Sequence, residues 1–150
     1  MSNKLYVKKL REGAMLPKRE TVGSAGYDLC CLTEEPITVL PNERKLIPTG
    51  IAIEIPECTV GLVYSRSGLS LKHGIHMAND VGVIDSDYRG ELKVPIHNRS
   101  DVPYTINCGD RIAQLVVTPI LTPEVEEVNE LSETVRGEGG FGSTGKKREG

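Results

Sequence analysis

The chain has no tryptophan and a single phenylalanine, and with five tyrosines its aromatic share is 4%. A core must therefore be built from small aliphatic side chains, which makes burial between subunits an attractive further source of stability. Long apolar runs are missing too. Nothing approaches the ~20 apolar residues of a membrane span, and the N-terminal segment MSNKLYVKKLREG carries lysines without the apolar stretch of a secretory signal. A soluble, cytoplasmic protein is the expectation. Charge of one sign is also lacking, since 18 Lys and Arg stand against 21 Asp and Glu for a formal net charge of -3. No general field draws the chain to nucleic acid or to an anionic membrane surface, so any phosphate it binds is gripped locally. Cys30, Cys31, Cys58 and Cys108 form neither a CxxC pair nor a secreted-type framework, which predicts buried thiols in a reducing compartment. His73 and His76 make an HxxH without a Cys or carboxylate at metal-site spacing, so zinc is not expected.

What the chain does have is punctuation. Its 150 residues suit one domain, nine prolines interrupt it, and the stretch from Pro56 to Pro95 is broken instead by Gly61, Gly68, Gly74, Gly82 and Gly90. Little room remains for long helices. Between the breaks lie short Val- and Ile-rich runs, Gly50 to Ile55, Thr59 to Tyr64, Gly90 to His97 and Arg111 to Val117, a spacing that predicts an all-β sandwich or jelly roll. Gly68 to His73 (GLSLKH) is the candidate for one short helix. After Pro123 Glu recurs at short intervals and glycines follow, with little to bury. Residues 1–131 read as the folded domain and 132–150 as a flexible C-terminal arm.

Three segments carry candidate chemistry. In the arm, Gly137, Gly139 and Gly142 spell GxGxxG and Gly140 to Lys146 begins like a Walker A loop. Neither holds: the dinucleotide fingerprint must open a helix within a βαβ unit, and the Walker loop needs Ser or Thr where this chain has Lys147. What remains is a glycine-freed backbone able to approach phosphate, with Ser143 and Thr144 adding hydroxyls and Arg136 adding charge. The alternative is a glycine linker without a role. Phe141, the chain's one Phe, sits where there is no core, and such a ring can stack on a nucleobase. Ser65 to Gly68 (SRSG) sets a guanidinium between hydroxyls just before the candidate helix, a setting for an anion or simply a helix cap. Asn79 to Gly90 (NDVGVIDSDYRG) groups Asn79, Asp85, Asp87 and Tyr88, able to position a water and read a base edge. Otherwise it is a β-hairpin whose Asp residues serve the turn.

Taken in order, SAGYDL at Ser24 to Leu29, SRSG, NDVGVIDSDYRG, GDRIAQLV at Gly109 to Val116 and RGEGGFGSTG at Arg136 to Gly145 resemble the five motifs of the trimeric dUTPase family. The resemblance implies a distorted jelly-roll homotrimer that hydrolyses dUTP to dUMP and pyrophosphate with Mg2+, supplying dUMP and keeping uracil out of DNA. Carried onto this sequence, it makes Asp85 the carboxylate that orients and deprotonates the attacking water, and Asp28 a holder of waters around the magnesium. Asn79 and the backbone of Gly82, Val83 and Ile84 would read uracil, and Tyr88 would lie against the deoxyribose and exclude a 2′-hydroxyl. Arg66, Ser67, Gly68 and the Gln114 backbone would hold the phosphates. From the arm, Phe141 would cover uracil while Arg136, Gly142, Ser143 and Thr144 close on the γ-phosphate. Each site would draw its uracil hairpin, its phosphate motifs and its arm from three different subunits. Departures from the pattern are small, among them Asp80, a charge beside Asn79 where apolar or small residues are more usual. A homologous dCTP deaminase would need a catalytic Glu in the strand after the hairpin, where LKVPIHN has none, and a non-catalytic nucleotide-binding module would have no use for Asp85.

Overall fold

Alternating β-branched residues cut by Gly, Pro and Asn give strands too short to bury a face alone, so they pack as several small antiparallel sheets. The computed structural model describes residues 4–143 and 145, and among them are eleven strands and one helix. The largest sheet places β2 (Tyr27–Cys30), β11 (Arg111–Pro119), β6 (Thr59–Tyr64) and β8 (Val81–Ile84) side by side in that order. A second orders β4 (Arg44–Pro48), β9 (Lys93–Asn98) and β7 (Ile75–Met77). Two pairs complete the jelly-roll-like shell: β1 (Tyr6–Lys9) with β5 (Ile51–Glu54), and β3 (Ile37–Val39) with β10 (Tyr104–Ile106).

Leu29, Ile47, Ile51, Ile75, Ile96 and Leu115 are fully enclosed, and no aromatic ring is among the buried apolar side chains. The aliphatic core expected from the composition is what forms, each such side chain contributing about 1.5–3 kcal/mol when it leaves water. Asn98, wholly buried, donates from Nδ2 to the carbonyls of Val39 at 3.0 Å and Val102 at 2.8 Å, so its amide costs little and pins β9 to the end of β3.

Four expectations shift. The strand foreseen at Gly90 to His97 begins at Lys93, because the chain bends at Gly90 and the Leu92 amide is taken by the Ile51 carbonyl. The segment 79–90 is not a paired hairpin: β8 hydrogen-bonds to β6, while β9 pairs with β4 and β7. It is a crossover between sheets. The thiols are not uniformly buried either, since Cys31 is enclosed and Cys30 half-buried but Cys58 and Cys108 are exposed, both in turns between strands. Burial pushes the Cys31 thiol up to about 11, so it stays protonated and inert.

The helix α1 (Ser67–His73) begins one residue earlier than foreseen. It ends where Gly74 takes a left-handed φ of 65° and its amide reaches back to the carbonyls of Leu69 and Ser70. Beyond Pro119 the described residues form neither helix nor strand.

Candidate functional site

The crossover puts one cleft at the junction of the two main sheets. Residues 78–80 turn the chain from β7 into β8, with the Asp80 amide donating to the Met77 carbonyl at 3.2 Å. Asp80 itself has φ of 59°, a left-handed conformation that Asp tolerates better than most residues. Its side chain is 81% exposed and pairs with Arg99 at 3.2 Å. The charge beside Asn79 is thus spent on the turn and on Arg99.

Downstream of β8 the chain tightens again, the Tyr88 amide donating to the Asp85 carbonyl at 3.2 Å. Asn79, Val83, Ile84, Asp85 and Tyr88 thereby line one cleft of about 430 Å³, a volume suited to a small ligand. Gly82, buried in β8, does not line it and faces Val63 and Met77 instead. Among the described residues the Asp85 carboxylate has no hydrogen-bond or ion-pair partner, and it is exposed. It is free to hold a water. Tyr88 is 44% exposed, and its hydroxyl donates to the Glu91 carbonyl at 3.0 Å.

A second cleft of about 350 Å³ collects Asp28, Arg66, Ser67, Gly68 and Gln114, together with Glu20 and Ser24. Its floor comes from β11, whose register shifts between Arg111 and Ala113 as it runs against β2. Ile112 and Ala113 are consequently buried in succession, and Arg111 is turned outward. Arg111 Nη1 reaches Asp28 Oδ2 at 3.1 Å and Glu20 at 3.3 Å, while Arg66 Nε reaches Asp28 Oδ1 at 3.1 Å. The Asp28 hydrogen bond and charge, with Glu20 behind them, raise the Arg111 guanidinium further above its ordinary range. Gln114 Nε2 donates to the Ser65 carbonyl at 3.0 Å, and Ser65 Oγ accepts from the Met77 amide at 2.8 Å. Ser65 is therefore not the helix cap. That position is Arg66, whose side chain does not cap the helix but donates from Nη1 to the Arg111 carbonyl at 3.3 Å, so the first-turn amides of α1 are left for solvent or ligand.

Among the described residues no three His, Cys, Asp or Glu side chains converge as an all-protein metal site. Magnesium does not require one, because it keeps several waters and is commonly held by one or two carboxylates and substrate phosphates. Asp28 fits that demand: Oδ2 accepts from Arg111 and Oδ1 stands in an ion pair with Arg66, and each oxygen retains a lone pair for a water.

The arm stands apart from both clefts. Arg136, Phe141, Gly142 and Ser143 are exposed and line neither, Arg136 Nε donates to the Gly139 carbonyl at 2.7 Å, and Thr144 lies outside the described residues. One chain thus holds the expected site residues in three separate groups. Two residues that sequence reasoning passed over belong with them. Arg111 stands inside GDRIAQLV, and its one visible signal was a charge heading a strand. Glu91 lines the first cleft and follows the YRG directly; Arg11, the Gly50 amide and Lys93 hold its carboxyl below the ordinary glutamate range against the opposing effect of burial. Its carboxylate oxygens are already engaged by Arg11 and the Gly50 amide.

A family model described as dUTPase matches residues 12–145. The chain is 52% identical over 144 residues to the deoxyuridine 5′-triphosphate nucleotidohydrolase of Hydrogenobaculum sp., covering 96% of this chain and 99% of that one. It is 50% identical over 141 residues to that of Oryza sativa subsp. japonica, covering 94% and 80%. Among solved structures, the dUTPase of Staphylococcus bacteriophage 80alpha with dUPNHPP superposes with a TM-score of 0.89 at 37% identity, over 97% of this chain and all of that one. A mutant dUTPase of the S. aureus phage phi11, described for its coordination of a structural Mg(II) ion, superposes at 0.80 with 34% identity over 87% and 100%. Shared sequence, shared fold and the five ordered motifs agree, and the chain belongs to the dUTPase family.

Proposed function

We infer that this chain, a dUTP diphosphatase by family, cleaves dUTP to dUMP and pyrophosphate by water attack at the α-phosphorus, with Asp85 as the general base. The observation that carries this assignment is the unpaired Asp85 carboxylate in the same cleft as Asn79, Val83 and Tyr88. A base there can hold a water beside a nucleotide whose uracil is read by Asn79 and the Gly82–Ile84 backbone, and whose sugar lies against Tyr88. Proton abstraction by a positioned carboxylate is worth about 10²- to 10⁴-fold.

Arg66, Ser67, Gly68 and the Gln114 backbone hold the triphosphate, as their shared cleft supports. Bound magnesium, its waters held by Asp28, would supply neutralisation of phosphate charge. Arg66 and Arg111 add fixed positive charge without reorganising. Arg136, Gly142, Ser143 and Thr144 close on the γ-phosphate as Phe141 stacks on uracil, making 132–150 a flap and 1–131 the catalytic domain. Three separate groups on one chain complete a site once chains are combined, which supports a homotrimer with shared sites. The enzyme is read as soluble and cytoplasmic; no helix among the described residues is long and apolar enough to cross a membrane.

The test is pyrophosphate release from dUTP, dCTP, dTTP and UTP with magnesium. Cleavage confined to dUTP is expected. Ammonia from dCTP, or no turnover of any of the four, would overturn the assignment.

A further inference from the structure

Glu91 is held by its side chain and holds Tyr88 by its main chain. Its carboxylate, 13% exposed, accepts from Arg11 Nη2 at 2.6 Å and Nη1 at 3.3 Å and from the Gly50 amide at 2.9 Å, with Lys93 Nζ at 3.9 Å. Its carbonyl accepts the Tyr88 hydroxyl. The anchor on the far side is firm. Gly50 has φ of 71°, and a Cβ there would collide with Leu32, so the corner between β4 and β5 requires glycine. The Leu10 amide donates to the Gly50 carbonyl at 2.8 Å and the Leu92 amide to the Ile51 carbonyl at 2.8 Å, while the Thr49 hydroxyl donates to the Leu92 carbonyl.

The Tyr88 backbone is held by the Asp85 carbonyl and the Arg89 guanidinium, but among the described residues its ring has one hydrogen bond, that to the Glu91 carbonyl. The residue is half-exposed and its ring lies over Gly90, where any Cβ would meet its hydroxyl. A single hydrogen bond to one carbonyl fixes a ring only if that carbonyl is itself fixed, and an exposed bond otherwise contributes little. The two-pronged Arg11 contact provides the fixing, because paired guanidinium bonds set direction as well as distance.

We propose that Arg11 and Glu91 are positioning residues for sugar selection: their ion pair sets the carbonyl that holds the Tyr88 ring, and so governs how strictly a 2′-hydroxyl is refused. The inference rests on the sugar-facing role given to Tyr88 above. It makes the N-terminal segment, which touches neither cleft's reacting groups, a determinant of specificity.

The experiment compares kcat/KM for dUTP and UTP in the parent, Arg11→Ala, Arg11→Lys, Glu91→Gln, Tyr88→Phe, Tyr88→Ala and the Arg11→Ala, Tyr88→Phe double variant. Arg11→Ala should lower the dUTP-over-UTP ratio about three- to tenfold through a rise for UTP, with kcat for dUTP kept within about twofold. Arg11→Lys, which keeps charge but loses the second prong, should fall between. In the Tyr88→Phe background, where the held hydroxyl is gone, Arg11→Ala should have no further effect on the ratio. A general loosening of the fold would give additive effects instead. A parental ratio in Arg11→Ala and Glu91→Gln while Tyr88→Ala relaxes it, or additivity in the double variant, overturns the clamp. An unchanged ratio in Tyr88→Ala overturns the role of Tyr88 and the clamp with it.

Discussion

The shell up to Pro119 and the arm beyond it obey opposite rules. In the shell, Leu29, Ile47, Ile96 and Leu115 are enclosed and strands pair through it. From Ile120 to Ser143 every described residue except Gly139 is exposed, and Phe141 presents its whole ring to solvent. Ordering a residue costs about 1–2 kcal/mol. The shell meets that cost with its own burial, whereas the arm has nothing of its own to offset it. Function in the shell should therefore be separable from stability side chain by side chain, and function in the arm should depend on what the arm closes over.

Asp85→Asn gives the sharpest version of this contrast. The carboxylate is exposed and unpaired among the described residues, so the melting temperature should stay at the parental value while kcat falls by about 10²- to 10⁴-fold. Binding of a non-hydrolysable dUTP analogue should persist, because the carboxylate acts on the water. A variant retaining more than about a tenth of parental kcat would remove Asp85 from the base role.

Deleting residues 136–150 tests the other side. Turnover should fall at least about tenfold with no loss of thermal stability, since the described residues removed bury no side chain and closure supplies positioning. Phe141→Ala should cause part of that loss, chiefly in KM, because stacking on a base is worth about 1–3 kcal/mol. Hydrogen exchange provides a second readout: protection of the arm should rise with the analogue bound. Full activity in the truncated protein, or exchange indifferent to the analogue, would make the arm a linker.

How much of this contrast was legible beforehand depended on whether a residue's role is local. The strand Thr59–Tyr64, the helix and the bare arm followed from spacing and composition, because alternation, Gly74 and the glycine run act within a few residues. Asp85, Asn79 and Tyr88 were legible as a group for the same reason. Arg111 was not, since a bulge at Ile112 is what turns it toward Asp28, 83 positions away. The crossover of residues 79–90 was hidden too, because which strand accepts β8 depends on β6 and not on its own residues. Glu91 looked like an ordinary surface acid until the fold brought Arg11 and Gly50 to it.

The smallest effect distinguishes the regions by pH. Hydrogen bonds from Arg11 first, and then from the Gly50 amide, hold the Glu91 carboxyl below its ordinary range although burial pushes the other way. In the unfolded chain the same carboxyl titrates near the ordinary value of about 4.3. The unfolded state therefore takes up this proton more readily than the folded one as pH falls. The stability it contributes is complete above about 4.3 and drains away as the pH drops through the lower folded value. Glu91→Gln should accordingly melt below the parent at pH 7, and the two melting curves should converge once the pH passes below the folded value. Arg11→Ala should reproduce the convergence from the other partner, since the guanidinium stays charged throughout. The protein truncated at residue 135 keeps both partners and should retain the parental acid limb. Melting temperatures of the parent and Glu91→Gln that run parallel from pH 7 down to about pH 3 would show that this ion pair contributes nothing to the shell.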